Sequence, residues 1–185
     1  MDSDGPSTVA VTIAAPVWQA VVNDPEELCR EAVAATLRQA APARWLATAE
    51  VSLLLCDDAT MRRLNAEYRQ QDRATNVLSF PALDLQPGQA PPAPMPGPVL
   101  LGDIALAAEI VRAEAAAARK SPADHLRHLV VHGCLHLLGY DHQDAAGAAR
   151  MEELERAILQ GLGISDPYAG EPAEADRRAL LEVGP

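Results

Sequence analysis

The spacing of apolar and polar residues divides the chain into short strands and longer helices. Four apolar or β-branched stretches, bounded by proline, glycine or acidic residues, are typical of strands. They lie at residues 8–22, 49–56, 77–81 and 99–106. The first stretch contains Pro16, which favours an edge strand with a kink.

Capping residues and helical periodicity predict about five helices among these strands. Asp24 and Pro25 begin the first helix, which we expect to end before Pro42. The others are predicted at residues 58–68, 107–119 and 144–161, and as a histidine-containing helix that Ser121 caps and Gly139 ends. Asp57 lies at the predicted cap of the helix at 58–68. This order of elements predicts an α+β fold, a single mixed β-sheet of about four strands packed with about five helices. The pattern leaves the strand order open.

Length and local composition predict the domain organisation. We expect one domain at residues 1–165, because a chain of 185 residues can bury a sizeable core without disulfides. Residues 84–98 hold six prolines and two glycines, which favours an extended loop. Residues 166–185 are charged and are expected to form a flexible tail.

Composition indicates a cytoplasmic protein. The three cysteines form no C-x-x-C pair, which favours a reducing compartment. No basic signal sequence and no apolar run of membrane-spanning length is present, so we expect no membrane partner. The net charge is −11, but positions 41–140 carry only −1 of it, so the cations of this middle segment can form a local basic surface.

All five histidines fall between positions 125 and 142, and three of them form a metal-ligand pattern. His132 and His136 are four apart and project from one face of a helix. Gly139 can end that helix in the left-handed conformation and return the chain, so that His142 reaches the same point. Three imidazoles and an open position are typical of catalytic zinc, which places the predicted zinc site at the end of a central helix.

One position separates this pattern from the metzincin proteases. In those enzymes a glutamate follows the first histidine and acts as the general base, whereas Gly133 stands there in this chain. A peptidase of that type is therefore disfavoured. A ligand set of His128, His132 and His136 is also disfavoured. On a straight helix His128 and His136 are too far apart to bind the same ion.

Four segments together are similar to a known family. They are residues 64–69 (LNAEYR), 75–81 (TNVLSFP), 101–104 (LGDI) and 132–142 (HGCLHLLGYDH). They resemble the YbeY family of bacterial endoribonucleases, which act in ribosomal RNA maturation, and the likeness spans roughly residues 50–168. The histidine segment is the most specific of the four.

The resemblance implies an activity, a cofactor and site residues. It implies one zinc ion held by His132, His136 and His142, a functional arginine at Arg69, and cleavage of single-stranded RNA. The implied partners are ribosomal RNA or the small ribosomal subunit, in processing and ribosome quality control, with no DNA expected. The chain departs from the family at Gln71 and Ala74, where many relatives have lysine and proline.

The chemistry of phosphodiester cleavage suggests roles for these residues. Negative charge grows on the phosphoryl oxygens, and a metal and a guanidinium both stabilise it, so we expect Arg69 to be catalytic. Arg69 is predicted just past the helix at 58–68, and a surface salt bridge is its alternative role. Asp141 or Asp103 is expected to accept the second imidazole N–H of a zinc ligand.

Two other functions stay open from the sequence. One is a zinc hydrolase acting on peptide or amide bonds, with a base from elsewhere in the chain. The other is a non-catalytic ribosome-associated factor with structural zinc, for which a fourth ligand from Cys134 or an aspartate is expected.

Overall fold

The computed structural model describes residues 8–45, 47–89 and 97–169. The rest of the chain lies outside the described residues. This includes residues 90–96 of the predicted proline-rich loop and residues 170–185 of the predicted tail.

The four predicted strands form one mixed sheet, which confirms the α+β prediction. They are β1 (Thr8–Ile13), β2 (Ala49–Cys56), β3 (Val77–Pro81) and β4 (Val99–Ala107). Their order in the sheet is β1-β2-β4-β3. β1 and β4 both pair in parallel with β2, whereas β3 pairs antiparallel with β4 and forms one edge.

The first strand is shorter than predicted. β1 ends at Ile13, and a one-turn helix, α1 (Trp18–Val21), occupies the rest of the predicted 8–22 stretch. Pro16 accounts for the error, because a proline cannot donate a ladder hydrogen bond. The apolar character of the stretch comes from burial: Trp18 is fully buried, and its indole N–H donates to the Cys56 carbonyl at 2.9 Å.

Five longer helices agree with the predicted ones. They are α2 (Pro25–Ala40), α3 (Asp58–Arg69), α4 (Ala108–Ala117), α5 (Pro122–Leu137) and α6 (Ala145–Gly161). Side-chain caps begin α2, α3 and α5 at Asp24, Asp57 and Ser121. Arg69 is the last residue of α3, not the first residue past it.

The core lies on both faces of the sheet, as the alternation along β2 shows. Val51, Leu53 and Leu55 join the larger apolar cluster, which includes residues of α2 and α5. Leu54 and Cys56 point to the other face and pack in a smaller cluster with Met61 of α3. Helices therefore cover the two faces unequally, and α5 belongs to the better covered one.

Helix α5 lies close against β3 and β4 because of Gly133. A Cβ atom at this position would lie 3.0 Å from the Ile104 Cγ2 atom and 3.1 Å from the Ser79 Oγ atom. The Ser79 hydroxyl donates to the Gly133 carbonyl at 3.3 Å. This close packing sets the distance between the sheet and the histidines that flank Gly133.

None of the helices in the described part of the chain has both the length and the apolar character needed to cross a bilayer.

Candidate metal centre

The end of α5 brings two histidine nitrogens together. His132 and His136 lie one turn apart, and their Nε2 atoms are 3.1 Å from each other. Two ligands of one tetrahedral zinc, each about 2.05 Å from the ion, are separated by about 3.3 Å. The pair therefore already has nearly the separation that a shared ion requires.

Gly139 turns the chain back after the helix, as predicted. Helix α5 ends at Leu137, and Gly139 has φ +88°, a left-handed conformation that favours glycine. A Cβ atom at Gly139 would lie 2.1 Å from the Leu85 carbonyl oxygen, so a side chain does not fit. The turn brings His142 beside the two helical histidines.

The three histidines together make a donor set that fits a metal ion. One nitrogen from each of His132, His136 and His142 lies within 4.8 Å of the others. The Nε2 atom of His142 is buried and has no hydrogen-bond partner. A buried imidazole nitrogen without a partner is costly, and a bound cation relieves that cost.

The surroundings favour the neutral, metal-binding form of two of the imidazoles, those of His136 and His142. Burial, together with His132 and His142, lowers the pKa of His136 to about 3. Burial and the neighbouring His132 also lower the pKa of His142. Neutral rings offer a lone pair at physiological pH, which is the state a metal ligand needs.

A carboxylate from another helix holds the first histidine. Glu155 of α6 is 1% exposed, and its Oε1 atom accepts from the Nδ1 atom of His132 at 2.5 Å. Burial alone raises the pKa of this carboxyl, but His132 and His128 outweigh burial and lower it. An ionised carboxylate only accepts, so the Nδ1 atom of His132 carries a proton, and Nε2 is the nitrogen that faces His136.

Glu155 was not predicted from the sequence, and Asp141 or Asp103 was expected in its place. Asp141 accepts from the Gln143 backbone N–H at 3.1 Å, and Asp103 is exposed on β4. A signal for Glu155 was present in the pattern, because it lies four residues after Met151 and three before Ile158, on the apolar face of α6. A lone acid on a buried face needs a partner.

Further polar groups surround Glu155. The Tyr168 hydroxyl donates to the Oε2 atom of Glu155, and the Nε2 atom of His128 lies 3.5 Å from the same oxygen. Burial and Glu155 raise the pKa of Tyr168, so its hydroxyl keeps its proton. His128 thus contacts Glu155 and does not belong to the group of three converging histidines, His132, His136 and His142.

Arg69 lies at a second cavity next to the histidine site. Its guanidinium donates to the Ser79 carbonyl at 3.3 Å, and burial lowers its pKa. The cavity has a volume of about 170 Å³, and Arg73 and Gln71 also line it. Asn76 lines both this cavity and the one beside His132 and His142, so the two are neighbours.

Several other arginines and the lysine of the middle segment are engaged elsewhere. Arg62 pairs with Asp72 at 2.7 Å, and Arg127 pairs with Glu31 at 2.8 Å. The Lys120 Nζ atom donates to the Pro167 carbonyl at 2.6 Å. Arg69 and Arg73 line the same cavity, which makes it the candidate for a local basic surface.

Comparisons with known proteins agree on one family. The family model described as Endoribonuclease YbeY matches residues 18–163. A protein named Endoribonuclease YbeY from Rhodospirillum rubrum is 50% identical over 172 residues, which cover 90% of this chain and 84% of that protein. The protein of the same name from Rhizobium johnstonii is 57% identical over 122 residues, covering 66% of this chain and 68% of its own.

One solved structure is also similar. The solution structure of a Thermotoga maritima protein covers 89% of this chain and 100% of its own, with 21% identity and a TM-score of 0.49.

Proposed function

The chain belongs to the YbeY family of endoribonucleases, and on this premise we propose that it is a zinc-dependent endoribonuclease that cleaves single-stranded RNA. We further propose that its substrate is ribosomal RNA of the small subunit, in processing and ribosome quality control in the cytoplasm. The observation that carries the proposal is the convergence of three histidine nitrogens beside a cavity lined by Arg69.

His132, His136 and His142 are the proposed metal ligands. Their nitrogens lie within 4.8 Å of one another, and the donor set of three imidazoles suits zinc. A bound zinc ion supplies a Lewis acid for the phosphodiester. The three ligands leave an open position for the substrate.

Arg69 is the proposed phosphate-binding residue. Its guanidinium is partly removed from water and lies beside a strand edge next to the histidine cavity. A planar guanidinium makes bidentate contacts with phosphate oxygens and stabilises the charge that grows on them. Arg69 therefore orients the phosphodiester toward the three histidines.

The strand edge argues against the peptide-hydrolase alternative. A peptide substrate that adds to a sheet edge needs free backbone groups there. On β3 the Ser79 carbonyl accepts from Arg69, the Val77 N–H donates to the Asn76 side chain at 2.7 Å, and Pro81 has no N–H. At Gly133, the metzincin glutamate position, a side chain would meet Ile104 and Ser79.

The structural-zinc alternative also lacks support. Structural zinc has four protein ligands, and the cluster found among the described residues has three. Cys134, which together with an aspartate was considered as the fourth ligand, is fully buried among apolar residues. Burial raises the pKa of its thiol to about 12, which disfavours the thiolate that zinc binds.

A paired assay tests the proposed function. Zinc-loaded protein and chelator-treated protein are each incubated with unstructured RNA and, separately, with casein. We expect the loaded protein alone to cut RNA internally, with activity restored to the treated protein by added zinc. Cleavage of casein, or RNA cleavage that survives complete zinc removal, would contradict the proposal.

A further inference from the structure

A chain of hydrogen bonds reaches the metal-facing nitrogens from behind. The Tyr168 hydroxyl donates to the Oε2 atom of Glu155, and the Oε1 atom of Glu155 accepts from the Nδ1 atom of His132 at 2.5 Å. The opposite nitrogen of His132, Nε2, lies 3.1 Å from that of His136. This series of hydrogen bonds thus connects the segment after α6 to the centre of the histidine cluster.

We propose that Glu155 and Tyr168 are positioning residues for the metal centre. Glu155 holds His132 in the tautomer with the proton on Nδ1, which turns the Nε2 lone pair toward the ion. Tyr168 holds Glu155 in the orientation that serves His132. This inference rests on the metal site of the proposed function and adds two residues from outside its ligand set.

The geometry explains why Glu155 needs Tyr168. Its carboxylate is buried and has a second imidazole nearby, because the Nε2 atom of His128 lies 3.5 Å from Oε2. The Tyr168 hydroxyl gives Oε2 a donor of its own, so Oε1 stays on His132. Without this donor, the carboxylate is free to rotate toward His128 and to release the ring of His132.

Tyr168 is itself fixed from several sides. The Arg156 guanidinium lies 5.0 Å from the centre of the Tyr168 ring. The Tyr168 backbone N–H donates to the Asp166 carboxylate at 2.9 Å, and Lys120 binds the neighbouring Pro167 carbonyl at 2.6 Å. These contacts hold the segment around Tyr168 beside Glu155, although it lies far from the histidines in sequence.

Metal affinity provides the first test, through titration of metal-free protein with Co²⁺, whose visible spectrum reports ligation directly. The variants are Glu155→Gln, Glu155→Leu and Tyr168→Phe. The matched controls are Glu153→Gln, which removes the same charge from an exposed position of α6, and Tyr68→Phe, which removes an exposed hydroxyl. Thermal unfolding of each metal-free protein identifies the variants that fold.

We expect Glu155→Leu to bind Co²⁺ about 10- to 100-fold more weakly. Glu155→Gln, whose amide oxygen still accepts, should lose less. Tyr168→Phe should show a smaller loss in the same direction, and the two controls should match the wild type. Equal affinity in folded Glu155→Leu and the wild type would overturn the positioning role while leaving the metal centre intact. A wild type that binds no Co²⁺ would instead reject the proposed metal site.

The tautomer of His132 provides a second test that needs no metal. Nitrogen NMR of the metal-free protein distinguishes a proton on Nδ1 from one on Nε2. We expect Nδ1 protonation in the wild type and in Glu155→Gln, whose amide oxygen still accepts, and a mixture of tautomers in Glu155→Leu. A wild-type His132 with its proton on Nε2 would overturn the inference, whether or not the leucine variant folds.

Discussion

At the scale of single residues, the loss of hydration on burial distinguishes Arg69 from a surface arginine. The Arg69 guanidinium is partly buried and contacts the Ser79 carbonyl, so it is less hydrated than a surface arginine. A phosphate group that replaces water there meets a cation already in position. Arg63 on the same helix differs from Arg69 because its side chain is exposed to water.

Replacing Arg69 with alanine should lower the rate of RNA cleavage about 10²- to 10³-fold, because one charge-stabilising donor of the transition state is lost. Zinc content should stay at the wild-type level, since Arg69 is not among the proposed ligands. Single-turnover cleavage and elemental analysis on the same samples measure both quantities. Arg63→Ala is the control, and its rate should be unchanged. Full activity of Arg69→Ala would remove Arg69 from the mechanism.

Some residues of the metal centre could be predicted from the sequence, and others could not. His132, His136 and Gly139 were identifiable because a helix and its termination place them together through local geometry alone. Glu155 was not, because its partner His132 is 23 residues away and the contact depends on how two helices pack. The position of Glu155 on the apolar face of α6 indicated that this acid is buried. The sequence alone does not indicate which residue it contacts.

At the scale of elements, the metal centre depends on how α5 ends. Helix α5 stops at Leu137, and Gly139 directs the following turn against the Leu85 carbonyl. The turn leaves two residues between Gly139 and His142, so a small displacement of the backbone moves the third ligand directly. The end of the helix is therefore as important to metal binding as the helix itself.

Substitution of Gly139 by alanine should lower the free energy of unfolding by at least about 3 kcal/mol, from backbone strain and the clash with Leu85. It should also weaken metal binding, because His142 moves. Gly163→Ala is the matched control: its φ is +75°, but nothing lies within 4 Å of the added Cβ. It should cost about 1–2 kcal/mol and leave metal affinity unchanged. Urea unfolding and Co²⁺ titration measure the two effects, and equal results for the two variants would contradict this role of the turn.

The ends of helices and strands were predictable where a local sequence signal, such as a capping residue, marks them. Capping by Asp24, Asp57 and Ser121 marked the starts of three helices in the sequence and in the structure. The stretch after β1 was predicted wrongly, because apolar residues such as Trp18 are buried by tertiary packing and need not extend a strand. The strand order likewise depends on pairings between distant segments, which periodicity does not contain.

At the scale of the whole molecule, an acidic protein has to bind a polyanion. The net charge is −11, so attraction to RNA must come from a confined region. The cavity with Arg69 and Arg73 is the proposed region, and Gln71 and Ala74, the two departures from the family pattern, line it as well. The missing lysine is therefore expected to weaken RNA binding at this place.

Restoring a cation at this cavity with Gln71→Lys should raise affinity for single-stranded RNA several-fold at low salt. One added phosphate contact should steepen the slope of log K against log salt by about 0.7. Gln19→Lys, an exposed substitution outside the cavity, makes the same change in net charge and serves as the control. Fluorescence anisotropy across a salt series measures both. Equal slopes for the two variants would place the RNA elsewhere on the surface.

The most direct measurement is a crystal structure of zinc-loaded protein with diffraction data on both sides of the zinc absorption edge. The account predicts one anomalous peak about 2.0–2.1 Å from a nitrogen of each of His132, His136 and His142, with no protein atom in the fourth position. A peak elsewhere, three rings that do not converge on it, or a fourth protein ligand would contradict a catalytic metal centre at the end of α5.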